Sequence, residues 1–186
     1  MSARLTLICH ASTASVRAAA FPLDEPIDAQ GQEKALALAG DLGRVDAVWT
    51  GPELRARQTA AALKLHPAVE PLLRDIDLGV WAGRTFDAVL AAEPEALVDW
   101  TGDPDAAPHG GESVTGLIER VRPWLGRMRG ETGRIIAVTH PAVIRAAVVL
   151  AIEADSRSFW RIDVGPLCRV RLVGNPARWT LRSLGE

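Results

Sequence analysis

Leu5-Thr-Leu-Ile-Cys9-His10 is a short apolar run that stops at a histidine, and the same design returns late in the chain as Arg134-Ile-Ile-Ala-Val-Thr139-His140. Runs of this length and apolarity are expected to be strands buried by helices on their faces. Between them, residues 28–42 place Ala35, Leu38, Ala39 and Leu42 at helical spacing, and residues 45–49 form a second short strand pattern. Thr50-Gly-Pro-Glu53 has the form of a capping box with proline in the first turn, opening a helix through Leu54, Ala61 and Leu63. Residues 102–111, rich in Gly, Pro and Asp, are expected to be a loop. Residues 113–128 then form a helix that Pro123 should kink or break, and residues 142–151 another helix. The tail, residues 159–184, holds two or three short β-rich runs punctuated by Gly165-Pro166 and Gly174-Asn-Pro176. Alternating strands and helices imply a three-layer α/β/α domain with a mostly parallel central sheet, in which ligands bind beyond the carboxyl ends of the strands.

The composition excludes several function classes. With 186 residues the chain suits one domain, residues 1–186, large enough to bury a core without disulfides or metals. Its 21 basic and 23 acidic residues leave it near neutrality, so neither nucleic acid nor an anionic membrane surface is an expected partner. The longest apolar stretches, such as residues 146–152, are far short of the roughly 20 residues that a membrane span requires. The first residues run straight into a strand pattern, so a cytoplasmic location is expected. Cys9 and Cys168 form no metal-ligand spacing and sit in apolar surroundings, where reduced thiols are common and a disulfide is not expected. Oligomeric state is left open by the sequence.

Of the four histidines, His10 and His140 each follow a buried-strand run, which puts both at the ligand-binding edge of such a sheet. Each alone is equally well explained as a hydrogen-bonded strand-end histidine, but two in matching positions favour a shared site. His66, beside Pro67, is incidental, whereas His109 in Pro-His-Gly-Gly is a candidate for ligand contact. Arg55, in the first turn of the helix after the second strand, can present a planar fork to phosphate at the same edge. Arg57, on another face of that helix, is expected in solvent.

These segments together resemble the histidine phosphatase (phosphoglycerate mutase-like) superfamily. Leu-Ile-Cys9-His10-Ala11 is similar to its strand-end Arg-His-Gly motif, and Thr50-Gly-Pro-Glu-Leu-Arg55-Ala-Arg-Gln-Thr-Ala60 to its arginine segment after the second strand. Leu73-Arg-Asp75-Ile-Asp-Leu-Gly79-Val-Trp81-Ala-Gly83 resembles the acid-bearing loop, Pro108-His-Gly-Gly-Glu112-Ser113 the Gly-Gly-Glu-Ser turn, and Val138-Thr-His140 the second histidine. The resemblance implies a phosphomonoester hydrolase working through a phosphohistidine on His10, with no metal and no cofactor. Arg55 and His140 would neutralise the transferring oxygens, and Asp75 would serve as general acid and then base, with Asp77 as fallback. The implied substrate is a small phosphorylated metabolite or a phosphoprotein, with specificity set by Trp81, Trp100 and the loop over residues 102–111.

The chain departs from that pattern at three places. Cys9 stands where the motif has arginine, Ala11 where it has glycine, and Pro141 where glycine usually follows the second histidine, removing a guanidinium and a backbone donor. Cys9 therefore joins Ser12, Thr13, Arg17 and His109 as a candidate phosphate- or substrate-binding position, and Arg17 is the candidate for folding back to restore charge. A cysteine-phosphatase reading of Cys9 fails on spacing, because the Cys-x5-Arg pattern needs arginine where Ser15 stands. Two other functions stay open on sequence alone: a catalytically weakened protein that binds a phosphorylated ligand or partner, and a mutase, which would need a lid this short chain offers little material to build.

Overall fold

A computed structural model describes residues 2–185. Its six-stranded sheet has the order β3-β2-β4-β1-β5-β6, with β1 at Ala3–Cys9, β2 at Ala47–Thr50, β3 at Ala68–Val69, β4 at Gly133–Thr139, β5 at Arg169–Gly174 and β6 at Trp179–Leu184. The first four are parallel and the last two pair antiparallel, so the sheet is mixed but mostly parallel, as the alternating elements imply. β1 and β4 lie side by side in the centre, with Cys9 opposite Thr139. His10 and His140 therefore leave the sheet together, and the His10 backbone N–H donates to the Thr139 carbonyl at 2.8 Å.

The two-residue period of a strand sorts the core into two halves. Leu5, Leu7, Cys9, Ile135 and Ala137 face α6 (Val114–Arg129) and α7 (Pro141–Ala151), whereas Ile8, Ile136 and Val138 pack toward α2 (Ala29–Leu38) and α3 (Leu54–Ala62). Three smaller helices, α1 (Ala14–Arg17), α4 (Phe86–Ala92) and α5 (Pro94–Gly102), complete the connections. Asp28 caps α2 by accepting from the Gly31 N–H at 2.7 Å, which starts that helix where the sequence pattern places it.

Two expectations from sequence are corrected. α6 runs unbroken through Pro123, because Pro123 lies on its exposed side while Leu117, Val121, Trp124, Leu125 and Met128 bury the other. Water can satisfy the carbonyl that the missing N–H leaves behind, and the buried stripe holds the helix together. The capping box at Thr50 does not form: Thr50 ends β2, its hydroxyl has no partner, and Glu53 sits at the N-cap without a side-chain cap bond. The Leu54 N–H is instead bonded by the Asp24 carboxylate at 2.6 Å. The tail forms two strands of the two or three expected. No helix of the described residues is long and apolar enough to cross a membrane.

Candidate active site

The chain crosses the carboxyl edge of the sheet at three neighbouring strands, β2, β4 and β1, and each crossing contributes side chains. From β1 comes His10, with 3% of its surface exposed. Its Nδ1 lies 2.8 Å from the Ala11 carbonyl, and a carbonyl oxygen only accepts, so Nδ1 carries the proton and Nε2 keeps its lone pair. Burial lowers the His10 pKa to about 4, reinforced by the positive charges of His140 and Arg55, so the ring is neutral at physiological pH. From β4 comes His140, fully buried, its ring centroid 5.4 Å from that of His10.

Arg55 enters from the first turn of α3 and is 2% exposed. One terminal nitrogen donates to the Leu23 carbonyl at 2.7 Å and the other to Asp75 Oδ2 at 2.6 Å, while Nε is buried without a partner. An unpaired guanidinium N–H beside two histidines is a donor waiting for an anionic acceptor. Asp75 Oδ2 also lies 3.4 Å from His140 Nδ1. Burial works against ionisation of Asp75, but the neighbouring His140 and Arg55, with the hydrogen bond from Arg55, outweigh it and hold the carboxyl below its usual pKa. Asp75 is thus a carboxylate that ties Arg55 to His140.

Glu53 is the carboxylate that sequence reasoning put to another use. Released from capping, its Oε2 accepts from His140 Nε2 at 2.7 Å and its Oε1 from the Asp75 backbone N–H at 3.0 Å. Burial opposes its ionisation too, and the bond and charge of His140 prevail, so its pKa is lowered. Gly51 makes this closeness possible: a Cβ there would stand 2.7 Å from the Leu73 carbonyl and 2.9 Å from His140 Nε2. The Asp75 loop is held from behind by Arg120, which donates to the carbonyls of Leu72, Arg74 and Asp75 and pairs with Glu112. The Glu112 of the Gly-Gly-Glu-Ser turn therefore braces the loop rather than entering the site.

Other sequence candidates fall outside. Arg17 is exposed and pairs with Asp28 at 3.5 Å, because its short helix turns it toward the start of α2. Thr13 is buried but spends its hydroxyl capping α1 through the Val16 N–H, and the Ser12 hydroxyl bonds Asp28. His109 packs edge-on against Trp81 and Trp100, with Nδ1 accepting from the Gly111 N–H, so it supports the aromatic wall from within. Asp77 is exposed and caps its own turn through the Gly79 N–H. Arg57 is exposed, as expected. Cys9 is fully buried, and burial pushes its thiol well above its usual pKa, so it offers neither a thiolate nor a charge. Pro141 opens α7 at its first position, where a backbone N–H has no intrahelical partner, so the fold accepts it at no cost while the donor is lost.

A cavity of about 160 Å³ opens over these groups, lined by His10, Asp75, Pro141, Trp100, Trp160 and Arg145. Trp100 and Trp160 meet edge to face at 4.5 Å between centroids, with Trp81 buried behind Trp100 at 5.5 Å. Sequence reasoning named Trp81 and Trp100 as walls but passed over Trp160 and Arg145. A signal for Arg145 was present: it is the only charged residue in the otherwise apolar α7.

The model of the histidine phosphatase superfamily, branch 1, matches residues 5–186. The chain belongs to the histidine phosphatase superfamily. Among its phosphatase relatives, it is 35% identical to glucosyl-3-phosphoglycerate phosphatase of Mycobacterium tuberculosis over 167 residues, covering 85% of this chain and 74% of that one. It is 28% identical to phosphoserine phosphatase 1 of Hydrogenobacter thermophilus over 147 residues, covering 74% and 70% of the two chains. A 32% identical match to a bifunctional protein of Mycobacterium tuberculosis spans 72% of this chain but 39% of that one. Among solved structures, a mycobacterial glucosyl-3-phosphoglycerate phosphatase in complex with VO3 superimposes with a TM-score of 0.90 at 26% identity, covering 98% of both chains.

Proposed function

We propose that this histidine phosphatase hydrolyses a small phosphomonoester through a phosphohistidine on His10 Nε2. Phosphatase chemistry on small phosphorylated metabolites follows from the family and from the relatives at 30–35% identity; the roles of individual residues are our assignment. The observation that carries it is the state of His10: its Nδ1 proton is committed to the Ala11 carbonyl, and burial keeps the ring neutral, so Nε2 holds a lone pair in a ring packed beside His140. Nε2 attacks phosphorus and the P–O bond to the leaving group breaks, while Arg55 and His140 offset charge on the equatorial oxygens. A phosphoryl dianion arriving beside Arg55 and His140 competes with Asp75 for both, which raises the pKa of its carboxyl. Asp75 then takes up a proton from solvent and delivers it to the departing oxygen, and the resulting carboxylate takes a proton from the water that hydrolyses the phosphohistidine.

The aromatic wall of Trp100 and Trp160 receives the leaving group. Phosphoserine and glucosyl-3-phosphoglycerate, named for the relatives, head the substrate panel. The free thiols of Cys9 and Cys168 fit a reducing, cytoplasmic setting, and one domain over residues 1–186 fits the span of the family match. No observation favours the binding-only or mutase readings over hydrolysis. The test is turnover of the panel by the wild type and by His10→Ala between about pH 5 and 8. Turnover lost in His10→Ala, with a burst of leaving group in the wild type, is the expected result. Turnover that survives in His10→Ala would sink the assignment.

A further inference from the structure

Cys9 leaves the site one guanidinium short, and its side chain points to the face of the sheet covered by α7, packing in the same core cluster as Val143, Ile144 and Ala147. Arg145 rises from that helix five residues after His140 and lines the same cavity as His10 and Asp75. Three contacts orient it. Its Nε donates to the Ile162 carbonyl at 2.8 Å, and the guanidinium carbon stands 5.6 Å from the Trp160 ring centroid and 5.8 Å from that of Phe159. Stacking on an aromatic face and a fixed Nε leave the two terminal nitrogens, which have no protein hydrogen bond among the described residues, to reach a ligand as a fork. The guanidinium also acts electrostatically on Cys9, Asp163 and Asp75, consistent with its place in the wall of that cavity.

A half-buried arginine in an apolar helix carries a desolvation penalty, which lowers its own pKa; Asp163 and Asp75 act against that electrostatically, but among the described residues no carboxylate comes within salt-bridge distance of it. Arg17, the sequence candidate for restoring charge, is paired elsewhere. We propose that Arg145 clamps the transferring phosphoryl group, supplying from α7 the guanidinium that position 9 does not carry. Its terminal N–H groups donate to nonbridging phosphoryl oxygens on the side opposite Arg55, so the charge developing in the transition state meets a cation from each helix. This rests on the phosphohistidine reading above.

The test measures kcat/KM for an aryl phosphate, and inhibition by vanadate and by inorganic phosphate, in the wild type and in Arg145→Ala, Arg145→Gln and Arg145→Lys, with Tm recorded for each. Arg145→Ala and Arg145→Gln should lose about 100-fold in kcat/KM and weaken vanadate inhibition by a similar factor, as removal of one transition-state donor does, while Arg145→Lys keeps an intermediate level. Arg145→Lys and Arg145→Gln preserve much of the side chain's packing, so they report even if Arg145→Ala fails to fold. An active wild type whose Gln and Lys variants keep vanadate inhibition within about threefold overturns this proposal alone. So does a loss confined to KM, with kcat and vanadate inhibition unchanged, which would assign Arg145 to the substrate's other end. A wild type that neither turns over nor binds vanadate overturns the phosphohistidine reading along with it.

Discussion

The ends of β1 and β4 carry the same sequence design and lie in register side by side, yet they deliver two histidines of different character. His10 hydrogen-bonds a backbone carbonyl and is kept neutral by burial and neighbouring positive charge. His140, on the next strand, has Glu53 at one ring nitrogen and Asp75 near the other. A carbonyl fixes a tautomer without adding charge, which suits a nucleophile. Two carboxylates fix the orientation of the His140 ring, which suits a group that meets the transferring oxygens. The histidines are thus equivalent in sequence and unequal in chemistry because of what faces them, and most of what faces them comes from other segments of the chain.

The most direct way to break this comparison is to remove each histidine in turn. His10→Ala should lower kcat/KM by about 10⁴-fold or more, as loss of a nucleophile does, and His140→Ala by about 10²- to 10³-fold, as loss of one stabilising group does. Equal losses would erase the division of labour. Asp75→Asn should cost about 10²-fold with an alkyl phosphate and under tenfold with a p-nitrophenyl ester, whose leaving group needs no proton. A loss independent of the leaving group would make Asp75 a brace for Arg55 and nothing more.

The pH dependence of stability sharpens the contrast further. The folded pKa of His10, about 4, lies below the ordinary 6.5, so between these values the unfolded chain takes up a proton that the folded chain refuses. Stability should therefore fall as pH drops through this window, by about 3 kcal/mol in total from His10, and equilibrium denaturation of His10→Ala should show a flatter profile over the same range. Asp75 and Glu53, whose folded pKa values are lowered, act in the same direction at more acid pH. The smallest effect is expected at Arg17→Ala, where phosphate inhibition and kcat/KM should stay within about twofold, because the side chain is exposed and engaged with Asp28. A larger change would return Arg17 to the site.

Much of the fold was legible because its signals are local. The apolar runs before His10 and His140 and the helical spacing within residues 28–42 each declare an element within a few residues. Pro123 misled for want of one fact that local spacing does not give weight to, namely that it lies on the side of α6 open to water. In the candidate site, His10, Arg55 and His140 were named from strand ends and a helix start and Asp75 from the family resemblance, and the fold brings the four together. Glu53 was missed because Thr50-Gly-Pro-Glu53 is also a capping pattern, and the choice between a backbone N–H and His140 is made by a residue 87 positions away. Arg17 and His109 were named for their place in polar loops, and their partners, Asp28 and the tryptophans, lie across the fold.

What the sequence determined by itself was the order of the central strands and the longer helices, the sheet edge that carries the candidate site, and the residue types available there, since hydrophobic period and turn chemistry act over a few residues. What only the tertiary structure decided was which nitrogen of His10 is free, that Asp75 is held by Arg55 and His140, and that Arg145 reaches the cavity while Arg17 does not. Protonation and orientation depend on charges and carbonyls a few ångströms away in space, and in this fold those neighbours come from chain segments many residues apart.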